Sequence, residues 1–203
     1  MGQQESKPKM ILTSIGNSPQ IKRSVLSLHV ILKASERLNE MLKSKYEIDH
    51  IKTYNIDLFM YECLYEYRDK SKFRKEINNK FIECIGDDDI WVIDISISSS
   101  LNKKYDCQIY YAHKNSKSIR LSSSLHIRLK NNNILSETNV LCMEHDIIKQ
   151  ADEYKYKKIL SINFNQYLTN DRINHIINII SQWIKDEDAR GAISDYEEIP
   201  DSQ

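Results

Sequence analysis

Glycine and proline are scarce, four and three in 203 residues. No G-x-G-x-x-G and no G-x-x-x-x-G-K-[ST] occurs, so the glycine-rich phosphate loops are excluded. No run of 18 apolar residues exists, so no transmembrane helix is expected. The first ten residues are polar and carry no signal-peptide apolar stretch. An excess of charge of one sign is also missing. Lys+Arg and Asp+Glu are both 29, which argues against a globally basic nucleic-acid binder. The four cysteines, Cys63, Cys84, Cys107 and Cys142, form no C-x-x-C pair and no metal knuckle. They read as buried free thiols of a reducing compartment. What remains is 40% apolar and 29% charged residues, enough for one packed domain. Abundant Ile, Lys and Asn point to an AT-rich genome.

The six histidines form no H-x-x-x-H or H-E-x-x-H. Ser27-Leu28-His29-Val30 recurs as Ser124-Leu125-His126-Ile127. Paired histidines can alternate as general acid and base in a phosphoesterase. That chemistry wants Ser or Thr two residues after each His, where this chain has Ile31 and Arg128. Asp87-Asp88-Asp89 with Asp94 offers carboxylates at a strand start, without the basic partner a metal nuclease needs. Neither a catalytic set nor a metal or cofactor site is expected. An enzyme of phosphodiesterase or nuclease type, built from scattered residues such as His113, His126 and Asp94, is the alternative reading.

Hydropathy patterning predicts an α+β fold. Ser18-Pro19 starts a helix over 19–45. Ile56, Phe59, Met60, Cys63, Leu64 and Tyr67 predict a second helix. Phe73, Ile77, Phe81, Cys84 and Ile85 predict a third, ended by Gly86. The period then changes to two: Trp91 to Ile97, Tyr105 to Tyr111, and Leu125, Ile127, Leu129. Short connectors favour antiparallel pairing. Weaker strands are expected near 139–143 and 157–164, and a short helix from Asp146 to Tyr154. Ile173, Ile176, Ile177, Ile180, Trp183 and Ile184 predict a closing helix that ends before Gly191. The expected architecture is N-terminal helices packed on an antiparallel meander, closed by an amphipathic helix. Residues 1–17 read as a flexible arm, 18–185 as one domain, and 186–203 as an acidic disordered tail.

The two ends carry the functional motifs. Met1-Gly2-Gln3-Gln4-Glu5-Ser6-Lys7-Pro8 matches M-G-x-x-x-[ST] and resembles an N-myristoyltransferase substrate. The resemblance implies lipidation at Gly2, with Ser6 and Lys7 completing the motif. One myristoyl chain binds membranes only marginally. Lys7, Lys9, Lys22 and Arg23 supply the second, electrostatic signal, about 1 kcal/mol each near an anionic leaflet. In the tail, Tyr196-Glu197-Glu198-Ile199-Pro200 resembles a ligand of Src-type SH2 domains once phosphorylated, or, unphosphorylated, a tyrosine sorting signal for clathrin adaptors. Together these features predict a cytoplasmic, myristoylated adaptor on the cytosolic face of a membrane. It would hold protein partners through its tail and bind no nucleic acid. A meander closed by a helix is also loosely similar to a pleckstrin-homology domain, though the leading helices argue against it.

Overall fold

The computed structural model describes residues 7–14, 25–52, 70–84, 89–97, 104–140, 151–153 and 155–197. Six strands form one sheet: β1 (Lys9–Ser14), β2 (Glu47–Lys52), β3 (Trp91–Ile97), β4 (Cys107–Tyr111), β5 (Ser136–Val140) and β6 (Lys158–Phe164). Among the described residues, four longer helices accompany them: α1 (Val25–Leu42), α2 (Lys70–Glu83), α3 (Ser116–Asn131) and α4 (Asn170–Glu197). The order across the sheet is β2-β1-β3-β6-β4-β5. All neighbouring strands are parallel except β4 and β6.

This is a mixed α/β sheet, mostly parallel, and it corrects the expectation of helices on an antiparallel meander. The physical reason lies in the connections. β1, β2 and β3 alternate with α1 and α2, and such crossovers place parallel strands side by side. Helices then cover both faces, so central strands are buried throughout. β3 and β6 are buried at all seven positions. The sequence pattern in β1 is a short apolar run, Met10-Ile11-Leu12, all almost fully buried. The flexible arm expected over 1–17 includes this run; β1 instead pairs on both sides, with β2 and β3, inside the sheet.

Leu125, Ile127 and Leu129, expected as a strand, belong to α3. Their spacing also satisfies a helix, because Leu121, Leu125 and Leu129 repeat at i, i+4, i+8 and are all buried. Asn115 caps α3 by accepting from the Ser118 amide. The strand expected near 157–164 is β6; the one expected near 139–143 shares only 139–140 with β5, and 141–143 lie outside the described residues. The second predicted helix, near 56–67, lies outside the described residues.

One face of the sheet packs against α1, α3 and α4. Met10, Leu12, Trp91, Ile93, Ile95, Leu160 and Ile162 meet Leu38 of α1, Leu125 of α3 and Ile176 and Ile180 of α4 there. The other face packs Ile11, Val92 and Ile159 against Ile77 and Phe81 of α2.

Helix α4 continues through Gly191 to Glu197. The first three acidic residues of the expected tail, Asp186, Glu187 and Asp188, lie inside it and make structural contacts. Asp188 accepts from Tyr46 Oη at 2.5 Å, Trp91 Nε1 at 2.8 Å and Lys158 Nζ at 2.8 Å. Glu187 is buried and accepts from Ser124 of α3 at 2.8 Å. Arg128 of α3 pairs with Asp186 at 3.1 Å. These contacts tie the second half of α4 to the sheet and to α3.

Candidate functional site

The strand order singles out one end of the sheet. From β1 the chain passes to β2 on one side, then to β3 on the other. In open α/β sheets the crevice beyond the carboxyl ends of two such strands is the usual ligand site. Here that rule points to the end of the sheet at Ser14 and Ile97, with the carboxyl end of β6 beside it.

On the α2 face, this end of the sheet is polar rather than apolar. Register places Thr13 opposite Asp94, Asp94 opposite Ser161, and Ser96 opposite Asn163. All five are almost fully buried. Thr13 Oγ1 donates to Asp94 Oδ1 at 2.9 Å, and Ser161 Oγ donates to Oδ2 at 2.8 Å. Ser161 Oγ also lies 2.9 Å from the side-chain amide of Asn163. The row continues onto β4 and β5. Gln108 stands opposite Asn163 and donates to Glu137 at 2.9 Å. The result is a belt of hydroxyls and amides with two carboxylates, buried Asp94 and, at its β5 end, Glu137. Alternation of polar and apolar residues in Asp94-Ile95-Ser96 and Ser161-Ile162-Asn163 is its sequence signal. In a strand buried on both faces, a polar residue at every second position marks a face that is not plain core.

The opposite face carries a second feature at the same end. Ser14 Oγ lies 2.8 Å from His50 Nε2 across β1 and β2. A serine hydrogen-bonded to a histidine is the start of a nucleophile–base arrangement. His29 of α1 lies 2.9 Å from Asn170 Oδ1 at the start of α4. His126 Nδ1 lies 2.9 Å from Ser136 Oγ of β5. His29 and His126 thus bond to different elements, and the paired-histidine site expected for a phosphoesterase is not assembled from these contacts. Asp94 is engaged with Thr13 and Ser161 on the α2 face, and His113 follows the far end of β4. Among the described residues no group of three or more His, Cys, Asp or Glu is placed to hold a metal ion.

A clasp lies beside the carboxyl end of β6. Arg172 of α4 donates to Asp106 through Nε at 3.4 Å and Nη2 at 2.7 Å, and to the Asn133 carbonyl at 2.7 Å. The Asp106 carbonyl accepts from Asn165 N–H at 2.9 Å. Beside it, burial and then the Asp106 charge push the Cys107 thiol up to about 12, so it stays a protonated core residue.

Gly2, Ser6, Lys22 and Arg23 lie outside the described residues, as do Glu198 and Ile199. Lys7 is exposed and donates to the Lys43 carbonyl at 3.1 Å. Lys9 is the exposed first residue of β1. Tyr196 and Glu197 fall in the last turn of α4. No described helix is long and apolar enough to cross a membrane.

No family model and no curated protein sequence matches the chain. Solved structures do. The CwlD amidase of Clostridioides difficile, solved in complex with the GerS lipoprotein, aligns with a TM-score of 0.57 at 16% identity, over 89% of this chain and 98% of its own. An N-acetylmuramoyl-L-alanine amidase of Clostridium difficile 630 gives 0.59 at 8% identity, over 89% and 96%. The amidase AmiC2 of Nostoc punctiforme gives 0.58 at 10% identity, over 90% and 97%. The chain therefore has the fold of these amidases over nearly their full length. That finding overturns the reading of the chain as a myristoylated peripheral-membrane adaptor. The arm and meander expected with it are replaced by a mostly parallel α/β fold whose first strand begins at Lys9.

Proposed function

We propose that this chain binds an amide-bearing ligand, of the amino-sugar–peptide class, on an amidase scaffold. The ligand enters the crevice beyond the carboxyl ends of β1, β3 and β6. One observation carries the reading: the switch point between β1 and β3 coincides with the buried row Thr13, Asp94, Ser96, Ser161 and Asn163. A peptide amide presents one donor and one acceptor, and hydroxyl and carboxamide side chains match both. The fold neighbours, named as amidases, support the amide class. The complex of CwlD with a lipoprotein supports a protein partner as well.

Hydrolysis of the same ligand is the second reading. The neighbours' activity and the Ser14–His50 contact favour it. Against it stands the engagement of Asp94 by Thr13 and Ser161, which leaves a binding row rather than a base poised toward the crevice. Titration calorimetry with N-acetylmuramoyl-L-alanine, followed by mass spectrometry of the mixture, separates the two. Binding with intact ligand is the expected result. Free L-alanine, lost in a Ser14→Ala variant, would establish hydrolysis. No heat and no product would refute the site.

A further inference from the structure

We infer that the β5 edge of the sheet is a self-association surface, where a second copy of this chain pairs antiparallel and continues the sheet; the inference does not depend on the ligand proposed above. β5 ends the strand order, and among the described residues it pairs with β4 alone. An edge strand presents a row of backbone donors and acceptors to any strand that approaches. Lysine, proline or a bulge ordinarily blunts such an edge. Ser136-Glu137-Thr138-Asn139-Val140 has no lysine and no proline. Its one charge, Glu137, already accepts from Gln108 at 2.9 Å and from Asn139 at 3.3 Å.

The sequence of β5 is complementary to itself. A two-fold axis through Thr138 sets Ser136 opposite Val140 of the second copy, Glu137 opposite Asn139, and Thr138 opposite Thr138. Opposite residues share a face, so each carboxylate meets a carboxamide donor and no like charges meet. The other edge strand, β2, lacks this property. An antiparallel copy centred on either of its middle residues sets Asp49 against Asp49 or His50 against His50.

Exposed apolar residues gather beside β5. Ile119 and Ile127 on α3, and Leu135 just before β5, are three of the five large hydrophobics exposed among the described residues. α3 turns into β5 and runs back along it: the Ile134 amide donates to the Leu129 carbonyl at 3.0 Å, and His126 Nδ1 lies 2.9 Å from Ser136 Oγ. At about 1.5 Å per helical residue and about 3.3 Å per strand residue, Thr138 is level with Ser122 and Ser123. The axis that pairs β5 therefore sets Ile119 level with Ile127 of the second copy. Five strand residues make a small contact, and these side chains add apolar area to it. The zero net charge of the chain opposes no approach of one copy to another.

Sedimentation velocity of the full chain over a concentration series tests the pairing. Wild type is expected to pass from 24.0 kDa to twice that mass as concentration rises. Asn139→Glu sets two like-charge pairs across the axis and is expected to raise the dimer Kd about tenfold. Asn139→Lys faces Glu137 of the second copy instead and is expected to lower it about threefold. Thermal melts check the folding of both, and opposite shifts at one position do not arise from a general loss of structure. A monomer at every concentration overturns the inference. So does a dimer whose Kd the two variants do not move in opposite directions.

Discussion

Asp188 supports the sharpest stability prediction. It lies on α4 and receives three donors: Tyr46 Oη at 2.5 Å, Trp91 Nε1 at 2.8 Å and Lys158 Nζ at 2.8 Å. The Lys158 side chain is only 7% exposed and lies 5.2 Å over the Trp91 ring. Its other anion, Asp89 at 2.6 Å, is 77% exposed and so a weak, screened partner. Asp188→Ala thus leaves a buried ammonium with one solvated partner and two buried donors without an acceptor. Breaking such a pair from one side costs about 3–5 kcal/mol. For a chain of this size that lowers the melting temperature by roughly 6–20 °C. Adding Lys158→Met removes the stranded charge and is expected to restore at least ~1–2 kcal/mol. Urea unfolding at neutral pH reads both. A single variant within about 0.5 kcal/mol of wild type, or a double variant less stable than the single, refutes the network's role.

The same group predicts a pH dependence. Burial works to raise the Asp188 carboxyl, but the bonds from Lys158, Tyr46 and Trp91 outweigh it and hold it below the ordinary carboxylate range. A depressed folded value means stability that is full above the unfolded value near ~4 and lost as pH falls through the folded one. Wild type should therefore lose more stability than Asp188→Asn between about pH 5 and pH 2. The reverse order would contradict the assignment.

Other outcomes follow from single contacts. Ser118 Oγ accepts from Ala112 N–H at 3.1 Å and donates to the Ile159 carbonyl at 2.6 Å, so Ser118→Ala is expected to cost about 1–3 kcal/mol in a thermal melt. Leu38, fully buried between α1 and the sheet, should cost about 2–5 kcal/mol as Leu38→Ala by urea unfolding. Arg172→Ala should speed amide hydrogen exchange at Asn165 and Leu168, because the Asp106 clasp is lost, while exchange in β3 stays slow.

Much of the element content is legible in the sequence, and the pairing of elements is not. The closing helix is legible because Ile173, Ile176, Ile177, Ile180, Trp183 and Ile184 keep a helical period, and each is buried. β1 is hidden because a central parallel strand has no alternation to detect: Met10 and Leu12 face one layer, Ile11 the other, and all are apolar. Three residues of period two cannot separate strand from helix, which is why Leu125-His126-Ile127-Arg128-Leu129 reads both ways. Once β1 and the α3 segment are misplaced, the crossovers vanish and an antiparallel meander is left. The site was obscured for a related reason. Its members, Thr13, Asp94, Ser96, Ser161 and Asn163, are common residues on three strands far apart in sequence, joined only by register. Asp94 was visible as a candidate, but its partners require the sheet order. The acidic stretch near 186 was read by composition alone, whereas Glu187 and Asp188 point inward, where buried donors from α3 and the sheet meet them.

The central claim is that the carboxyl ends of β1, β3 and β6 form a site for an amide-bearing ligand. Nitrogen-15 NMR of the full chain, titrated with N-acetylmuramoyl-L-alanine, tests it most directly. The account predicts saturable shifts concentrated at Thr13, Ser14, Ser96, Asn163 and Asn165 to Leu168, with little change at Lys158 and Asp188 at the opposite end of the sheet. Shifts centred on that opposite end or on the outer surface of α3, or none at all, would contradict it.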